Sequence, residues 1–140
     1  MSGINLKRVL LGGLLAGLFV NITESFFNMV LMAKPFEAAM QALHLPPMSM
    51  GVLGFFIAWG FIQGFLSVWF YAAIRPRYGA GPATAIRVGL VVWVLAYLMP
   101  DLSNALLHIM PMKPILMGAA WSLVEAPLTV MVGAWLYQEA

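Results

Sequence analysis

Cysteine is absent from this 140-residue chain and charge is scarce, with seven Lys or Arg and five Asp or Glu making up 9% of residues against 63% hydrophobic. Without cysteine there are no disulfides, no thiol chemistry and no thiolate metal sites. So little charge excludes an ordinary soluble domain, in which about a quarter of residues are charged. The formal net charge of +2 gives no case for nucleic-acid binding. Missing too are a phosphate-binding glycine loop, a nicotinamide fingerprint, a nucleophile elbow and the paired Glu-x-x-His motifs of a carboxylate-bridged metal bundle. The chain reads as a non-enzyme with no catalytic residue, no metal site and no predicted cofactor. His44 and His108 are the one pair that haem ligation would have to use.

What the chain does have is long apolar runs. Four are read at about 9–32, 50–74, 88–110 and 115–137, each close to the ~20 residues that cross a bilayer core. The expected fold is all-α, one domain over residues 1–140, a polytopic four-helix transmembrane bundle. The first run is too long for a signal-peptide core and is read as a retained helix. Lys7, Arg8, Arg75, Arg77 and Arg87 fall on one side and only Lys34 and Lys113 on the other, which predicts both termini in the cytoplasm. Trp69, Tyr71, Tyr78, Trp93, Trp135 and Tyr137 are expected near that same boundary, where amphipathic rings settle.

Between the first two runs, Phe36, Met40 and Leu43 recur at helical spacing, so residues 35–45 are expected to form an amphipathic surface helix. Arg75 to Pro82 is dense in Gly and Pro and predicts a tight basic hairpin. The second and fourth runs align without gaps: Ala58-Trp59 falls on Ala120-Trp121, Gln63 on Glu125 and Ser67 on Thr129. Glu24 and Asp101, each with a nearby Asn, give a weaker match between the first and third. A tandem duplication of a helical hairpin would explain both, as parallel repeats about an axis normal to the membrane.

The sharpest feature is three carboxyls at lipid depth. Glu24, Asp101 and Glu125 lie within apolar runs, whereas every Lys and Arg lies at or beyond a run's end. An ionised Asp at the centre of a span costs about 2.5–3.5 kcal/mol, so such groups are kept neutral, hydrated or matched by a bound cation. Asn21, Asn28, Gln63 and Asn104 are expected to supply neutral hydrogen bonds around them. Gly13 with Gly17 and Gly60 with Gly64 are small-xxx-small pairs that permit close helix approach. For these polar faces, simple helix packing and a proton or cation site both stand as readings. Pro100 and Pro127, beside Asp101 and Glu125, either shape the bundle or free carbonyls for a site. Counted from the flanking arginines, Glu24 and Asp101 lie at about 24 Å and 21 Å, so they are expected to pair, with Glu125 nearer the midplane.

The stretches Gly17-Leu18-Phe19-Val20-Asn21-Ile22-Thr23-Glu24 and Tyr71 to Pro82 resemble those of small, uncharacterised four-span integral membrane proteins of bacteria. The resemblance covers most of the chain and implies a bacterial inner-membrane location, with no activity to transfer. Small multidrug transporters share only the architecture; here the first-span Glu lies deeper and the charge bias opposes dual topology. The expected function is a transporter or channel-like protein for protons, cations or a small polar or cationic solute, acting in the bilayer as a homo-oligomer. The alternative is a non-catalytic accessory subunit or assembly factor of a larger membrane complex, or a scaffold that holds a bound lipid.

Overall fold

The computed structural model describes residues 3–139, and every regular element among them is helical. Four helices are long and apolar enough to cross a membrane: Leu6–Leu31, Met50–Tyr78, Pro82–Leu106 and Met112–Trp135. The first comprises α1 (Leu6–Phe26) and a π-helical turn, Phe27–Leu31. Met32 then breaks the direction and α2 (Ala33–Ala42) follows, starting two residues earlier than its sequence suggests, with Pro35 tolerated in the first turn. The second span is α3 (Met50–Tyr78). The third comprises α4 (Pro82–Trp93), a π turn over Val94–Leu98 and α5 (Met99–Leu106), and the fourth is α6 (Met112–Trp135).

Caps and turns follow the local chemistry. Asn5 opens α1 by accepting from the Arg8 N–H at 3.2 Å, and Ser49 opens α3 by accepting from Val52 at 3.3 Å. The expected hairpin at Arg75 to Pro82 is shorter than its composition suggests, because α3 continues through Pro76 to Tyr78. One proline removes a single ladder bond, which the flanking residues outweigh. The turn is left to Gly79 and Gly81, whose φ angles of 84° and 122° require glycine. Thr84 ties it down by donating to the Gly79 carbonyl at 2.8 Å. In the third span, Pro100 cannot donate to the helix, and the ladder widens just before it so that Met99 N–H reaches Val94.

The helices pair as two neighbours, α1 with α3 and α4 with α6, and α6 also packs on α1 and α3. Glycine sets the closest approaches. Gly13 and Gly17 lie against the backbone of Phe65 and Phe61, Gly64 lies against the Gly13 carbonyl, and Gly60 lies against the Asn21 side chain. Two more contacts were not expected: Gly12 faces Gly133, and Gly89 backs onto Pro127. Pro127 therefore shapes the α4–α6 interface.

The core sits towards the basic end, where the described termini and the Gly79–Gly81 turn lie. Val9, Ala16, Val68, Tyr71, Ala72, Ala85, Val88, Val130 and Tyr137 are buried there. Tyr71 and Tyr137 meet edge to face at 6.2 Å, and their hydroxyls accept from Gly81 N–H and Asn5 N–H. Trp69, Tyr78 and Trp135 are exposed, but Trp93 is not a boundary residue: its indole donates to the Ala119 carbonyl inside the bundle. At the far end the helices diverge, and Gly51 to Trp59 are exposed on every side of α3. Leu10, Leu14, Leu18 and Ile22 form an exposed stripe along α1, as suits a helix whose solvent is lipid.

Candidate functional site

Glu125 is the most enclosed acid, at 4% exposure in the middle of α6. Its two carboxyl oxygens face different ways. Oε1 accepts from the Thr23 hydroxyl of α1 and, at 3.3 Å, from the Trp121 indole one turn along its own helix. Oε2 accepts from the Tyr97 hydroxyl at 3.4 Å, and that hydroxyl accepts in turn from Gln63 Nε2 of α3 at 2.8 Å. Each of the four spans thus contributes a polar side chain to one connected network at membrane depth.

Glu24 joins it directly, its carboxyl lying within hydrogen-bonding reach of Glu125. Asp101 is within electrostatic range of Glu24 and its Oδ2 lies close to Gly118, whose other neighbour is Phe27. Glu24 therefore neighbours both other acids, and its closeness to Glu125 is the relationship that depth counting did not suggest. Depth counted along separate helices misleads because α1 and α6 are offset. Glu24 is about 10 Å from the far end of its span and Glu125 about 20 Å from the start of α6, so α6 projects further at that end. Among the described residues no Lys or Arg pairs with these acids; the ion pair present, Arg75 with Glu139 at 3.5 Å, lies at the basic end. Nor do they form a cluster of three or more His, Cys, Asp or Glu with metal-binding geometry.

The neutral residues divide. Gln63 belongs to the network. Asn28 donates to both the carbonyl and the carboxyl of Glu24 at 2.8 Å, and so orients that acid although it is itself exposed. Asn21 lies outside, spanning the Gly17 and Ile57 carbonyls at 2.8 and 3.1 Å, a joint between α1 and α3. Asn104 supplies the carbonyl that accepts Ile109 N–H at the end of α5. His44 and His108 are exposed and end α2 and α5 with φ of 52° and 54°, so both have a backbone capping role.

Thr23 and Trp121 are the site residues that sequence reasoning misses. A threonine in a helix normally bonds back to its own ladder, so nothing local marks Thr23 as a carboxyl's partner. Trp121, one turn before Glu125, is the detectable signal. Beside the network a lateral groove of about 570 Å³ runs between α1 and α6, with Thr23 and Glu125 as its polar residues and Phe27, Trp121, Val124 and Leu128 among its walls. Compared with known proteins, the chain matches no family model, no curated protein and no solved structure.

Proposed function

We propose that this membrane protein moves protons or small cations across a bacterial inner membrane, with Glu125 as the group that is loaded and unloaded. One observation carries the reading: a carboxyl almost wholly enclosed at membrane depth, hydrogen-bonded by three spans, set against a second carboxyl and without a cationic partner among the described residues. Two carboxyls in contact hold a proton or a cation between them, since both cannot remain ionised side by side without one. Tyr97 and Gln63 extend that pair across the bundle, and the divergence of α3 at the far end gives it an approach from that side. Five of the seven basic residues flank the opposite end, which supports cytoplasmic termini. Four short spans enclose little volume, so the working unit is a homo-oligomer.

The two hairpins read as copies of one unit. In support, Gly13 backs onto Phe65 and Gly89 onto Pro127, and Phe65 aligns with Pro127 in the match of the second and fourth spans. Glu24 lies eleven residues after Gly13, and Asp101 twelve after Gly89. The extra residue coincides with the π turn at Val94–Leu98, and one inserted residue is what a π turn accommodates.

The test is purified protein in liposomes with a trapped pH indicator and an imposed potential. Wild type carries proton or cation flux and Glu125→Gln abolishes it with the helical content retained. Wild-type flux no higher than that of empty liposomes would refute the reading. A second reading, an accessory subunit of a larger membrane complex, is favoured by Ser25, Asn28 and Ser103, polar residues exposed on the spans. It predicts no flux and co-purification with a larger partner.

A further inference from the structure

The groove is walled by side chains of the first and fourth spans, and Val124 at 61% and Leu128 at 41% exposure mark its open, lipid-facing side. Apart from Thr23 and Glu125 its lining is apolar. Phe27 stacks on Trp121 with ring centres 5.1 Å apart, so an aromatic pair stands in the groove wall beside the carboxyl. Such walls exclude a hydrated inorganic ion, and the carboxyl excludes an anion. An apolar body carrying a positive charge satisfies both, through hydrophobic contact and a charge-assisted hydrogen bond.

Thr23 decides between kinds of cation. Its hydroxyl has one proton and three acceptors in reach: Glu125 Oε1, the Phe19 carbonyl at 3.1 Å and the Val20 carbonyl at 3.2 Å. The proton can turn back to either carbonyl and release Oε1 without leaving a buried donor unpaired. An incoming N–H then takes its place on the carboxyl, whereas a cation without an N–H has nothing to replace it with. We propose that this groove is the binding site of a lipophilic ammonium with at least one N–H, reached laterally from the lipid, which donates to Glu125 Oε1. The proposal rests on the transport reading only in taking Glu125 as the functional carboxyl, and makes a membrane-soluble amine an inhibitor that competes for that carboxyl rather than the cargo.

The test is binding of tritiated phenylbutylamine to the whole chain in lipid nanodiscs, with empty nanodiscs measuring partition into lipid. Phenylbutanol and the trimethylated quaternary analogue serve as competitors. The expected result is saturable binding, with both competitors weaker by about tenfold or more, the scale of a lost charge-assisted hydrogen bond. Glu125→Gln removes the saturable component. Ala120→Phe also removes it by filling the groove from an exposed wall position, and leaves proton flux unchanged because Ala120 has no part in the polar network. Binding that survives both variants, or phenylbutanol competing as well as the amine, overturns the proposal. Flux without saturable amine binding overturns this site alone, whereas amine binding without flux overturns the transport reading and leaves the site standing.

Discussion

Gln63 and Glu125, matched positions of the second and fourth spans, meet on opposite sides of a single hydroxyl, that of Tyr97, which accepts from the amide and donates to the carboxyl. The third span thereby joins the two, and the order of donors fixes which oxygen of Glu125 faces the bundle and which faces the groove. A side chain that both accepts and donates holds its neighbours in one orientation, as a purely apolar contact would not.

Removing that hydroxyl should separate function from folding. In Tyr97→Phe the ring still packs, while Gln63 and Glu125 each lose a partner. The expected cost is about 1–2 kcal/mol in stability, with proton flux reduced by about tenfold. Thermal unfolding in detergent and the liposome assay read the two effects separately, and unchanged flux would place Tyr97 outside the pathway.

Thr23 should tolerate only a hydroxyl. Thr23→Val keeps the shape and removes the donor, leaving Trp121 as the remaining donor on Oε1, with an expected loss of about 1–3 kcal/mol. Thr23→Ser should restore most of it. Equal melting temperatures for the valine and serine variants would show that the bond to Glu125 contributes nothing.

The glycines divide by location. A Cβ on Gly64 would fall 2.6 Å from the Gly13 carbonyl oxygen, whereas one on Gly54 would meet nothing within 4 Å. Gly64→Ala should therefore force α1 and α3 apart at a cost of about 1–3 kcal/mol, and Gly54→Ala should be neutral or slightly stabilising. Denaturation in mixed detergent micelles measures both, and a neutral Gly64→Ala would contradict the close α1–α3 packing.

Orientation can be read without background labelling because the chain has no cysteine. A single cysteine at Ala80, in the turn beside the arginines, should react with an impermeant maleimide only after spheroplasts are opened. One at Leu45, beyond α2, should react in intact spheroplasts. The reverse pattern would invert the proposed topology.

Much of the architecture was legible in the chain. Apolar runs of bilayer length gave four spans, and small residues at Gly13, Gly17, Gly60 and Gly64 marked the face where α1 meets α3. Pattern was less informative where one residue type serves two purposes. Pro76 reads as a turn signal but lies inside α3, and Tyr71 and Tyr137 read as boundary aromatics but turn into the core. Thr23 carried no signal at all, since its partner lies 102 residues away.

Four apolar spans and three acids within them follow from hydropathy and from the spacing of cations, which are properties of composition and order alone. Which acids meet depends on how the helices pack. The axial offset of α1 against α6 is set by glycine contacts between residues far apart in the chain, and that offset brings Glu24 to Glu125 and opens a groove beside them.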